Sequence, residues 1–193
     1  MSSSATIAQP TAAQQAAMQS ASTQSGRIQQ PTTTTERQKG AGTAKAKSYD
    51  FVEDVTVDGV SRIFRAHIPA SYDRTKPMPV VLAFHGLGMN SLAMLAMSGF
   101  NGLSDRKGFI VVYGEGLNNR WNEGSGGADD IGYVSAVLQK LARLANIDQR
   151  RIYACGISNG GFFSQRLACA LSDKIAAAGV VSSSMMASTQ GTM

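Results

Sequence analysis

Two continuous apolar runs, Val80-Val81-Leu82-Ala83-Phe84 and Phe109-Ile110-Val111-Val112-Tyr113, stand out from a chain that otherwise alternates or recurs with helical spacing. Runs of this length with no polar position predict strands buried on both faces, as in the middle of a parallel sheet. Ahead of them, Tyr49–Val57 alternates loosely, Asp58-Gly59 supplies a hairpin turn, and Val60–Ile68 continues as a second strand that Pro69 ends. Between the two runs, residues 91–107 are mostly helical in character. Leu92, Leu95 and Met97 are apolar there, and Gly99 and Gly102 interrupt the pattern; the methionines read as packing. Val134, Val137, Leu138, Leu141 and Leu144 recur at helical spacing after Asp129 and Asp130, either of which can cap the helix. Residues 152–155 form a further short strand, a helix runs from Ser158 to about Leu171, and Ile175–Val181 is again strand-like. Residues 182–193 show no clear core pattern. Strands alternating with helices predict an α/β fold with a mostly parallel sheet and helices on both faces.

Composition divides the 193 residues in two. The first aromatic residue is Tyr49, and what precedes it is mostly Ala, Gln, Ser and Thr with scattered Pro. Residues 1–47 have too little apolar surface to offset the entropy of ordering, so they read as a disordered low-complexity tail in which residues 11–21 reach at most a transient helix. Residues 48–193 suffice for one domain. Five of the 18 basic residues, Arg27, Arg37, Lys39, Lys45 and Lys47, but only Glu36 of the 13 acidic ones, lie in the tail. The net charge of +5 is therefore mostly the tail's, and the domain is nearly neutral. Cations so widely spaced read as solvated linker charge, and no nucleic-acid partner is expected. Neither a secretory signal nor a membrane span is visible. Cys155 and Cys169 read as two buried thiols in preference to a disulfide, and without clustered histidines they make no metal site.

The chemistry gathers where the strand of residues 152–155 breaks into glycine. Gly156-Ile157-Ser158-Asn159-Gly160 matches G-x-S-x-G, a sharp strand-to-helix turn that lifts a serine oxygen clear of the backbone above a parallel sheet. Side chains at Gly156 and Gly160 would crowd the neighbouring strand or helix, and glycine accepts backbone angles other residues avoid. Three fixed residues are a weak pattern alone; strand and helix on either side strengthen it. An acyl-transfer serine also needs a base for its proton and donors for the oxyanion. In this architecture one donor is the amide after the nucleophile, here Asn159, and the other comes from the loop after the third strand. His85-Gly86-Leu87-Gly88 occupies that place, and the Leu87 amide is the expected second donor.

Several motifs in order then carry a resemblance. Residues 80–88, Gly108-Phe109-Ile110-Val111-Val112-Tyr113, Trp121-Asn122, Asp129-Asp130-Ile131-Gly132-Tyr133, Ile147-Asp148, Arg151-Ile152-Tyr153 and residues 156–161 resemble the poly(3-hydroxybutyrate) depolymerase and feruloyl esterase family of α/β-hydrolases. The similarity covers roughly residues 60–182. Gly114 departs from it, since relatives usually carry proline before the position of Glu115. The resemblance implies an α/β-hydrolase fold, a serine carboxylic-ester hydrolase acting through an acyl-enzyme on Ser158, an ester or polyester substrate, no metal or organic cofactor, and an extracellular location, with a cytoplasmic one as the alternative because no signal is visible.

The triad is where the resemblance stops. Its chain order in this fold is Ser, then Asp or Glu, then His, and no histidine follows Ser158. Asp173, the sole later acid, comes too soon after the elbow helix. The domain is thus expected to be incomplete at its C-terminus, with a sheet edge open to self-association. Two other readings stand beside an esterase: a truncated, non-catalytic fragment, and one part of a two-chain assembly. His67 reads as structural. His85 reads as shaping the oxyanion loop, in preference to serving as the base. Trp121 reads either as a wall of an acyl or aromatic pocket or as a loop anchor. Asp129 and Asp130 read as helix caps.

Overall fold

The computed structural model describes residues 47–124 and 126–184, so the expected tail of residues 1–47 lies almost wholly outside the described residues. Among the described residues six strands make one sheet in the order β1-β2-β4-β3-β5-β6. β1 (Tyr49–Val57) and β2 (Val60–Ile68) form an antiparallel hairpin, and β2 also runs antiparallel to β4 (Ile110–Gly114). β3 (Met78–Phe84), β4, β5 (Ile147–Ile157) and β6 (Ile175–Val181) are mutually parallel. The Asp58-Gly59 turn has positive φ at both residues, 51° and 76°, the twist that a tight hairpin of right-handed strands requires.

Among the described residues four helices cover the sheet: α1 (Ser91–Ser98), α2 (Phe100–Lys107), α3 (Asp130–Leu144) and α4 (Asn159–Ala170). The helical stretch of residues 91–107 is two helices, because Gly99 takes a left-handed conformation (φ 65°) that ends α1 and starts α2. Gly102, the other expected interruption, lies inside α2. Alternation along the central strands divides the core in two. Leu82, Phe84, Ile110 and Val112 face Tyr133, Val134, Val137, Leu138 and Leu141 of α3 and Phe163 and Leu167 of α4. Ala83, Val111 and Tyr113 face Met94 of α1, with Phe100 of α2 packed alongside. Helices therefore lie on both faces. β5 begins five residues earlier than the apolar pattern indicates, because its first residues pair with β3 through Met78 and Ile147 before a register shift.

The two edges differ. β1 carries Asp50, Glu53 and Asp54, whereas β6 is Ile-Ala-Ala-Ala-Gly-Val-Val, exposed at every residue after Ile175. Both cysteines are free, but neither is the buried thiol expected: Cys155 is half-buried, and Cys169 is exposed because it falls on the outer side of the last turn of α4.

Candidate active site

β5 ends at Ile157 and α4 begins at Asn159, which leaves Ser158 alone at the bend. Its backbone takes φ 52° and ψ −119°, a region that side chains rarely occupy and that costs on the order of 1–3 kcal/mol. The surroundings enforce it. The Ser158 amide donates to the Val181 carbonyl of β6 at 2.8 Å, and the Ser158 carbonyl accepts from the Gly161 and Phe162 amides at 2.9 and 3.0 Å. A Cβ at Gly156 would strike the Gly160 backbone, and one at Gly160 would strike the carbonyls of Phe84 and His85 at the end of β3. Both glycines thus serve close approach, and the second brings the elbow against the loop after β3. Ser158 itself is exposed.

That loop is the His85-Gly86-Leu87-Gly88 turn. Among the described residues neither the Leu87 nor the Asn159 amide has a protein acceptor, while the next two amides of the turn are engaged: Gly88 donates to the Asn119 carbonyl at 2.8 Å and Met89 to the Gly86 carbonyl at 3.1 Å. Gly86 packs on Ile157, the residue before the serine. The side chain of Leu87 is two-thirds exposed (66%), while that of Asn159 is buried.

His85 is fully buried and uses both ring nitrogens. Nδ1 lies 2.9 Å from the Gly86 carbonyl, which can only accept, so Nδ1 carries the proton; Nε2 therefore accepts from the Gly116 amide at 3.0 Å. No lone pair remains for a serine proton. Burial holds the imidazole below its ordinary value of 6.5, assisted by the Arg62 charge and opposed by the Gly86 hydrogen bond and by Glu115 and Asp130. With the folded value depressed, the neutral ring's contribution to stability is fully present above the unfolded pKa and is lost as pH falls through the folded one. NMR titration of the His85 ring should accordingly give a midpoint below 6.5; one at or above 6.5 would mean that the ring is solvated and the turn differently held. His67, the chain's other histidine, is buried between Asp50 of β1 (2.7 Å) and Asp105 of α2 (3.3 Å), a tie between hairpin and helix.

Trp121 is not a pocket wall. Its ring is fully buried, stacked on Phe163 (centroids 4.8 Å apart, 8° between planes) and edge-on to Phe84, and its Nε1 donates to the His85 carbonyl at 3.0 Å. Full burial leaves no face for a ligand, so of its two expected roles the ring takes the loop anchor's. Gly114 makes room for it, since a Cβ there would lie 2.9 Å from the indole.

Three features escaped the sequence pattern. Asp129 caps α3 by accepting from the Gly132 amide at 2.8 Å, but Asp130 does more. It is buried, lies 2.6 Å from Arg62 Nη2, and accepts from the Asn122 amide at 2.6 Å. The contact to Arg62 lacks hydrogen-bond geometry at Oδ1 and is held by charge. Arg62 also donates to the Glu115 carbonyl and lies 3.8 Å from the Tyr133 ring centroid. A signal existed: Arg62 shares the inward face of β2 with Phe64, Ala66 and Ile68. Second, the Glu115 side chain accepts from the amide and hydroxyl of Ser91 at the start of α1. Third, the Asn159 side chain grips the backbone of Trp121. Among the described residues there is no cluster of three His, Cys, Asp or Glu side chains able to hold a metal, and no helix long and apolar enough to cross a membrane.

Comparison with known proteins follows the same lines. The chain is 31% identical over 123 residues to a putative esterase, NocK, of Nocardia uniformis, covering 60% of this chain and 36% of that one. It is 27% identical over 146 residues to feruloyl esterase D of Neurospora crassa, covering 70% and 50%. The chain thus spans half or less of the length of these two relatives. Among solved structures, a ferulic acid esterase superposes with a TM-score of 0.59 at 17% identity, over 69% of this chain and 58% of that one. An acetyl xylan esterase from Aspergillus awamori gives 0.58 at 19%, over 68% and 53%. These likenesses give the fold as that of the α/β-hydrolases. Residues 66–193 match the family described as Esterase PHB depolymerase, a span that holds the whole elbow and the turn beside it, and this chain belongs to that family.

Proposed function

We propose that residues 48–193 form the nucleophile and oxyanion half of a serine carboxylic-ester hydrolase site, and that residues 1–47 are a tail outside it. The observation that carries this reading is Ser158, exposed and held at φ 52°, beside two amides, of Leu87 and Asn159, with no acceptor among the described residues. In the reaction, Ser158 Oγ bonds to the ester carbonyl carbon and its proton passes to a base. The oxyanion is held by the two amides, the alcohol leaves as the carbon–oxygen bond breaks, and water then releases the acid from the acyl-serine. His85 shapes the turn that presents Leu87.

Neither histidine of the chain can serve as that base, so it comes from outside these residues, either in a longer chain or in a second subunit. The esters named for relatives are feruloyl and acetylxylan esters, and the family's description names a depolymerase of the polyester PHB; all three are carboxylic esters. A polyester does not cross a membrane, which favours action outside the cell. The uncharged β6 edge supports self-association as the arrangement of the isolated chain. The nucleophile is tested with a fluorophosphonate at alkaline pH. With hydroxide taking the serine proton in place of the absent base, one mass adduct per chain is expected to form slowly, with none on Ser158→Ala; labelling that survives this substitution would remove Ser158 from the mechanism.

A further inference from the structure

We infer that the carboxamide of Asn159, and not only its amide, is a positioning device for the oxyanion donors: it clamps the loop of residues 115–123, which in turn holds the Leu87 turn. The inference rests on the esterase reading for the purpose of the turn, but the clamp itself is a matter of geometry. Asn159 Oδ1 accepts from the Trp121 amide at 2.7 Å and Nδ2 donates to the Trp121 carbonyl at 3.0 Å. A main-chain amide can only donate and a carbonyl only accept, so the carboxamide has a single orientation. Nδ2 also donates to the Glu123 carboxylate. All this takes place where the side chain of Asn159 is buried, and unmade hydrogen bonds there are costly.

From Trp121 and its loop, three bonds reach the turn: the indole Nε1 to the His85 carbonyl, the Gly116 amide to His85 Nε2, and the Gly88 amide to the Asn119 carbonyl. The residue after the nucleophile therefore connects both donors. Its amide is one of them, and its side chain locates the other through a loop remote in sequence. Isoleucine or methionine could supply the first function at position 159, but neither could supply the second.

Trp121 is the chain's sole tryptophan, so its fluorescence reports on the clamp directly. The full chain is compared with Asn159→Ala, Asn159→Asp and Ser158→Ala, with thermal melting as the control for folding. In Asn159→Ala, Trp121 emission should shift to the red, amide exchange at Gly88 should accelerate, and fluorophosphonate labelling of Ser158 should slow by about 10- to 100-fold, the scale on which small misplacements of reacting groups act. Asn159→Asp, which keeps an acceptor for the Trp121 amide but faces Glu123 with a second carboxylate, should fall between. If Asn159→Ala does not fold, the same three readouts on Asn159→Asp decide. Unchanged emission and Gly88 exchange in a folded variant would overturn the clamp. A moved Trp121 with an unchanged labelling rate would overturn its positioning role. If wild-type Ser158 is not labelled even at alkaline pH, where hydroxide can take its proton, the esterase reading fails, while fluorescence and exchange still decide the clamp.

Discussion

Hydrolysis of a short-chain p-nitrophenyl ester by the 193-residue chain should lie near background and should hardly change in Ser158→Ala. The elbow and the proposed oxyanion turn are local structures, built from residues 156–161 and 85–88, and they stand without a base. The base does not. His85 spends Nδ1 on the Gly86 carbonyl and Nε2 on the Gly116 amide, and His67 lies between Asp50 and Asp105. In a serine hydrolase where the experiment has been done, loss of the histidine alone lowers turnover by about 10⁶-fold, as much as loss of the whole triad, and the residue is what binding and the oxyanion hole supply. His85→Ala offers a separate arm. It should be as inactive as wild type while loosening the turn. Robust turnover that Ser158→Ala abolishes would show that a base exists within the chain, and a parallel loss in a folded His85→Ala would identify it.

Asp130→Ala should lower stability by about 3 kcal/mol, at the lower end of the 3–5 kcal/mol seen when one partner of a buried ion pair is removed. Arg62 would keep its hydrogen bond to the Glu115 carbonyl and its place over Tyr133, which offsets part of the cost of an unpaired buried cation. The Asn122 amide would lose its acceptor as well. Urea unfolding near neutral pH should show a lower midpoint at unchanged slope. Replacing both partners, as Arg62→Met with Asp130→Ala, should recover part of the loss, because no lone charge is then buried. A loss below about 1 kcal/mol, the range of surface pairs, would mean that water reaches the pair.

What could be read from the sequence was what depends on near neighbours. β3 and β4 were legible because unbroken apolar runs have few alternatives to a buried strand, and the hairpin because Asp58-Gly59 suits its turn. The elbow was legible because Gly156 and Gly160 mark close backbone approach on either side of a serine. Arg62 and Asp130 were not, since their partnership joins residues far apart in the chain and neither position announces its partner. Trp121 stayed ambiguous for a related reason: a loop has no period to say which way a side chain points, and only the stacking on Phe163 decides it. The break at Gly99 was visible as a glycine, but Gly102 looked the same and proved to be ordinary helix, the difference being a left-handed backbone that composition does not encode.

The unlike edges of the described sheet would bias any pairing between copies of the chain. β1 presents Asp50, Glu53 and Asp54 to an approaching strand, whereas β6 presents alanine, glycine and valine. A sheet open at both ends can add copies without limit, as fibres do. Among the described residues β1 is the acidic edge and β6 the uncharged one, so two copies that met through β6 would turn their acidic ends outward, and growth would stop at a closed, self-complementary pair. Sedimentation of the isolated chain should therefore find dimers in place of open polymers, and the same β6 edge is the one that any further strand, from a longer chain or from a partner, would have to occupy first.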